Sequence, residues 1–347
     1  MSYWMISNRS LPSRGPKTPA AFGDDRGDLT FWTADAGPVT NSDAWTSVTR
    51  AVFEKRLIAA AGNFPTIDSS AQNSEDQHHV TFFIHGFNND WAAEAARYQS
   101  ICDSLFSGPD SLGECVMFDW PSLGSVLGYL PDREHARDCA NDLADVLSAL
   151  YEYMRAQQAQ QMAVTADPSN ACKAKISVLA HSMGNYLLEK AMAVVWTRKN
   201  QPLLMSLINQ LLMIAADVDN DLFKSGETVQ QSDGDAIANL TYRVTALYSG
   251  KDSVLGLSAG LKHFGKRRLG RSGIDHDFPV SDNVWDVDCS RFFTSETVQG
   301  FPQGVHSAYF EVPDTIKLIR QLLRGIDRTV LVDGGVAPAP LAKAQSV

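Results

Sequence analysis

Cysteine is scarce in this chain: there are five in 347 residues, and no two stand in a Cys-x-x-Cys spacing. Cys102, Cys115, Cys139, Cys172 and Cys289 form an odd, scattered set, which argues against a disulfide framework and against a zinc site. Long apolar runs are missing too. None approaches the roughly 20 residues that a bilayer span needs. The segment from Met1 to Arg9 lacks a basic stretch followed by an apolar one, so no secretory leader is read there. The expectation is a cytoplasmic chain without stable membrane insertion. Positive charge is the minority sign, with 30 Lys and Arg against 40 Asp and Glu and a formal net charge of −10. Such a surface repels phosphate backbones, so no nucleic-acid partner is expected. The local exception, Lys262 to Arg268 followed by Arg271, reads as a solvated loop, with an acidic ligand or anionic lipid surface as the other reading. Internal repeats are absent as well.

What is present is a regular alternation. Apolar, β-rich runs occupy 80–84, 114–118, 175–180, 211–216, 242–249 and 284–288. Helical rhythms lie at 92–105, 133–157, 185–198 and 314–323. Strands alternating with helices predict an α/β fold with a mostly parallel central sheet and helices on both faces. Right-handed crossovers then bring every strand's C-terminal end to one edge, where ligands bind. Before this block, 3–6 and 29–33 read as short strands, 44–61 as a helix and 68–77 as a polar loop. The division expected is an extension over 1–75 packed on a catalytic unit of 76–327, with an aperiodic tail over 328–347.

Ser182 stands in Ala180-His181-Ser182-Met183-Gly184, directly after one strand and before one helix. That context suits a nucleophile elbow, in which a strained turn exposes the hydroxyl and small residues two places either side prevent clashes. Gly184 meets the requirement, and Ala180 stands where glycine is usual. The plainer reading is an ordinary turn with serine as helix cap. A developing oxyanion needs preorganised N–H donors. Met183, after the nucleophile, supplies one, and Phe87, in Phe83-Ile84-His85-Gly86-Phe87, is the expected second, with His85 structural. Chain order then calls for an acid and a histidine. Asp252 follows one strand and Asp217 the strand before it; Asp252 is preferred and Asp217 stays as the alternative. His306, after the last strand, is the expected base. His276 is a rival but precedes that strand, and Asp275-His276-Asp277 finds no second cluster to make a metal site.

Taken together these residues resemble a bacterial α/β-hydrolase family of unknown function, serine esterase- or lipase-like in its elbow. The resemblance rests on Ser7-Asn8-Arg9, the His-Gly-Phe-Asn segment, Trp120-Pro121-Ser122 with Tyr129 and Asp132, and the elbow itself. It continues through Asp217, Tyr248 to Asp252, Arg268-Leu269-Gly270 and His306-Ser307-Ala308-Tyr309-Phe310. It runs over about residues 3–325 and implies Ser182, Asp252 and His306 as the catalytic set, with no cofactor. It implies no particular substrate. The segments 120–130 and 254–261, apolar and broken by glycine, read as pocket wall or lid, or equally as core. Trp120, Tyr129 and Leu255 are the substrate-contact candidates from them. The function expected is cleavage of a small-molecule ester through an acyl-enzyme. Acyl transfer and amide or peptide hydrolysis use the same groups and stay open, and a non-catalytic scaffold on the same fold is the remaining alternative. The chain carries no signal of its oligomeric state.

Overall fold

A computed structural model describes residues 2–11, 22–35, 37–62, 79–87, 90–122, 128–165, 175–199, 206–224, 233–262, 265–301 and 303–339. Three strands come first: β1 (Tyr3–Arg9), β2 (Arg26–Ala34) and β3 (Thr46–Val48), followed by helix α1 (Arg50–Gly62). Then come β4 (His79–Ile84), α2 (Trp91–Leu105), β5 (Gly113–Asp119), α3 (Tyr129–Asp138), α4 (Ala140–Thr165), β6 (Lys175–His181) and α5 (Gly184–Lys199). The second half holds β7 (Ile208–Ile214), α6 (Asp233–Leu240), β8 (Thr241–Tyr248), α7 (Ser253–Leu257), α8 (Leu269–Ser272), β9 (Val284–Asp288), α9 (Val305–Ala308), α10 (Pro313–Leu323) and α11 (Arg328–Asp333).

The nine strands form one sheet in the order β3-β2-β1-β5-β4-β6-β7-β8-β9. All pairings from β1 across to β9 are parallel, and only β1–β2 and β2–β3 are antiparallel. This is the α/β architecture expected from the sequence. Strand residues alternate between two cores, as the two-residue pleat requires. Phe82, Ile84, Val178 and Ala180 face one cluster; Phe83, Leu179, Leu212 and Ile214 face the other. Burial on both faces explains why these strands read as unbroken apolar runs. On one face α10 packs Leu318, Ile319, Leu322 and Leu323 inward, the spacing of a helical stripe.

Three segments differ from the sequence expectation. The helix predicted over 44–61 starts only at Arg50, because Thr46–Val48 pairs with β2 instead. A Thr-Ser-Val run suits an extended edge better than a helix turn. The single helix predicted over 133–157 is two, α3 and α4, broken at Cys139. The expected tail carries α11, capped by the Asp327 carboxylate on the Thr329 N–H, and it buries Leu331 and Ala337. The loop read over 68–77 lies outside the described residues. No helix among the described residues is long and apolar enough to cross a membrane.

Candidate active site

The end of β6 passes straight into Ser182, whose φ is +52°. A side-chain-bearing residue in that region is strained by about 1–3 kcal/mol and persists only where neighbours hold it. Here they do. The Ser182 N–H donates to the Ile214 carbonyl at 3.0 Å, and its own carbonyl accepts from the Asn185 and Asp217 N–H groups at 3.1 Å each. The Asn185 side-chain amide donates to the Ala180 carbonyl at 2.9 Å, closing the turn from within. A Cβ on Gly184 would run into the main-chain oxygens of Ile84 and His85, so only glycine fits there. Ala180 is fully buried; its methyl is accommodated.

His306 reaches this serine from α9, a four-residue helix entered through Gly304 at φ +55°. Its Nε2 lies 2.9 Å from Ser182 Oγ, and its Nδ1 lies 2.7 Å from Asp252 Oδ2. Carboxylate oxygens accept only, so the proton between His306 and Asp252 sits on Nδ1, and Nε2 is left to accept from the serine hydroxyl. Asp252 is itself fixed. It caps α7, with Oδ1 accepting from the Leu255 N–H at 3.0 Å, and its carbonyl accepts from Arg271. All three side chains are withdrawn from bulk water, at 5%, 3% and 0% exposure for Ser182, His306 and Asp252.

The other acid is engaged elsewhere. Asp217 Oδ1 accepts from Arg268 Nε at 2.8 Å and from the Ser258 hydroxyl at 3.0 Å, while Oδ2 accepts from the Tyr129 hydroxyl at 2.8 Å. Arg268 is wholly buried and also donates to the Asp217 carbonyl and to Asp219. Burial, with the Asp217 charge beside it, pushes the Tyr129 phenol well above its ordinary range, so the phenol stays a donor. Asp217 therefore braces the turn at Ser182 from behind, and Asp252 is the carboxylate hydrogen-bonded to His306.

The loop after β4 passes close beside Ser182. A Cβ on Gly86 would stand 2.9 Å from Ser182 Cβ and 3.1 Å from His181 Nδ1. This brings the main chain leading to Phe87 alongside the elbow, while Met183 follows the serine directly at the head of α5. His85 holds the loop's shape. Its Nε2 accepts from the Trp120 N–H at 3.1 Å and its Nδ1 donates to the Gly86 carbonyl at 2.8 Å. The Trp120 ring stacks on it at 5.2 Å and donates to the His85 carbonyl at 2.9 Å. Below it, Asp119 accepts from Arg9 Nε at 2.8 Å and from the Ser7 hydroxyl at 2.8 Å. Burial works to raise this carboxyl, but the Arg9 guanidinium beside it holds it below the ordinary value.

Of the expected substrate contacts, Trp120 is fully buried against His85, Leu255 is buried in the core, and Tyr129 is committed to Asp217. Exposed apolar surface on the same segments comes instead from Leu130 (67%) and Leu257 (64%). The Tyr129 hydroxyl, 3.4 Å from Ser258 Oγ, ties those two segments together. His276 lies at the surface beside Asp286, at 3.4 Å. Sequence reasoning did not anticipate Asn185, Arg268, Ser258 or Arg271 as parts of the site. Arg268-Leu269-Gly270 was the one available signal. Gly270 has no room for a Cβ against the main chain of Ala215 and Ala216, which sets Arg268 over Asp217.

A parallel sheet flanked by helices, with a strained serine on a strand-to-helix turn, defines an α/β hydrolase. The chain belongs to the family described as "Alpha/beta hydrolase of unknown function (DUF900)", which matches residues 67–284. That stretch contains Ser182, Asp217 and Asp252; His306 lies beyond it. No curated protein matches the chain. Among solved structures it is similar to Aspergillus fumigatus lipase B, at 14% identity and a TM-score of 0.35 over 95% of this chain and 68% of that one. It is also similar to a Pyrobaculum calidifontis esterase, at 12% identity and a TM-score of 0.34 over 83% and 92%.

Proposed function

We propose that this chain is a serine hydrolase that cleaves carboxylic esters through an acyl-enzyme. The supporting observation is the unbroken line of hydrogen bonds from Asp252 through His306 to Ser182 Oγ, at 2.7 and 2.9 Å. In the forward step His306 Nε2 takes the serine proton as Oγ attacks the carbonyl carbon, and Asp252 stabilises the imidazolium that forms. Negative charge on the former carbonyl oxygen meets the N–H groups of Met183 and Phe87. His306 then returns its proton to the leaving alcohol, and a water activated by the same nitrogen releases the acid. The exposed Leu130 and Leu257 favour an uncharged, partly apolar acyl or alcohol group.

The direct test is labelling with a fluorophosphonate, followed by mapping of the modified residue. Label is expected on Ser182 in the wild type and in Asp217→Asn. It should vanish in Ser182→Ala, vanish in His306→Ala and slow sharply in Asp252→Asn. A wild type left unlabelled, or a label on another serine, would sink the proposal. On a panel of p-nitrophenyl esters, a preference for short polar acyl chains would refute the apolar-substrate part alone.

A further inference from the structure

The proposed mechanism assigns no part to His181, the residue before the nucleophile, although it is almost wholly buried against the base. Its Nε2 lies 2.9 Å from the His306 main-chain oxygen, and its Nδ1 lies 3.3 Å from Arg97 Nη1. A guanidinium only donates, so Nδ1 is the acceptor and the ring proton is on Nε2, directed at the His306 carbonyl. The ring sits 5.0 Å from the His306 ring and 5.6 Å from the Phe310 ring.

We propose that His181, oriented by Arg97, is a positioning residue that fixes the main chain of His306 so that its imidazole meets Ser182. This rests on the hydrolase reading above. Two consecutive residues thus hold the base at two points: Ser182 takes the ring nitrogen, and His181 takes the carbonyl. The need is local. A four-residue helix entered through a left-handed glycine has too few internal bonds to hold its own register. The end of β6 lies inside the sheet and is rigid, so it sets that register. Burial first, then the Arg97 charge and the neighbouring His306 and His85, keeps the His181 imidazole well below its usual pKa. His181 is therefore neutral, and its Nε2–H is a permanent donor.

The experiment titrates active sites with a fluorophosphonate and measures p-nitrophenyl acetate turnover per titrated site, in His181→Leu, His181→Gln and Arg97→Leu. His181→Leu should titrate fully and keep KM within about twofold, with kcat down about 10²-fold, the usual consequence of a misplaced reacting group. Glutamine keeps an N–H within reach of the carbonyl and should restore kcat at least about tenfold over leucine. Arg97→Leu should lower kcat about tenfold, the worth of one hydrogen bond. The inference is overturned if His181→Leu loses only titratable sites while kcat per site stays at the wild-type value. It is equally overturned if glutamine is no better than leucine. Should the leucine variant not fold, an Arg97→Leu enzyme within about twofold of wild type overturns it. A wild type that takes no label overturns the hydrolase reading, and this inference with it.

Discussion

Replacing Asp217 and Asp252 in turn by asparagine should separate bracing from chemistry, because the two carboxylates stand on adjacent strand ends with different partners. Asp217→Asn puts an amide NH₂ against Arg268, Ser258 or Tyr129, and the first of these has nothing but donors. Both members of the Asp217–Arg268 pair are buried, at 4% and 0% side-chain exposure. Breaking such a pair costs up to about 3–5 kcal/mol, and Asp219, which still accepts from Arg268, moves the loss toward the lower figure. Unfolding entropy is about 2.1 cal/mol/K per residue. For 347 residues a loss of that size lowers Tm by about 4–7 °C. The Asp217 main-chain N–H still supports Ser182, so kcat should stay within about tenfold of wild type. Asp252→Asn should do the reverse. It removes the group that fixes the His306 tautomer, for which a loss of about 10⁴ in kcat is typical, with a small change in Tm. Differential scanning calorimetry and turnover on p-nitrophenyl acetate read both quantities. An Asp217→Asn enzyme that is inactive but thermally unchanged, beside an active Asp252→Asn enzyme, would refute the assignment.

Two more outcomes follow from the same contacts. Asp119 has a folded pKa below its ordinary 3.8, so the proton favours the unfolded chain. Its contribution is complete above about pH 4 and is lost as pH falls through the lower folded value. Urea midpoints measured from pH 6 to pH 3 should drop, and Asp119→Asn should flatten that drop; an unchanged acid arm would discount the Arg9–Asp119 pair. Gly184→Ala drives a methyl into main-chain oxygens that cannot swing aside. The soluble yield, or the rate of fluorophosphonate labelling, should collapse, and a wild-type rate would mean the elbow is looser than drawn.

How much of this was readable beforehand differs from residue to residue. Ser182, Asp252 and His306 each follow a strand, and parallel topology brings strand ends to one edge, so their meeting was foreseeable from order alone. Distance in sequence hid the rest. The partner of Asp217 is 51 positions away at Arg268, in a basic run that composition assigned to solvent. Trp120 and Tyr129 looked like pocket lining because an aromatic after a strand fits either a cleft or a core. Only three dimensions reveal that one stacks on His85 and the other serves Asp217. The β3 strand was masked by its neighbour α1, whose rhythm extends backward through Ala44. The break at Cys139 carries no glycine or proline to announce it.

Helix α8 is only four residues long, yet the arginine before it grips Asp217 and the one inside it grips the Asp252 backbone. The stretch between Asp252 and Arg268 is thus moored at both ends, like a rope between two bollards. The Leu255 N–H and the Ser258 hydroxyl within it hold Asp252 and Asp217, so it is the part beyond Ser258 whose composition and length can change while neither acid shifts. Differences among relatives should accumulate there first, leaving Ser182, Asp252 and His306 where they are.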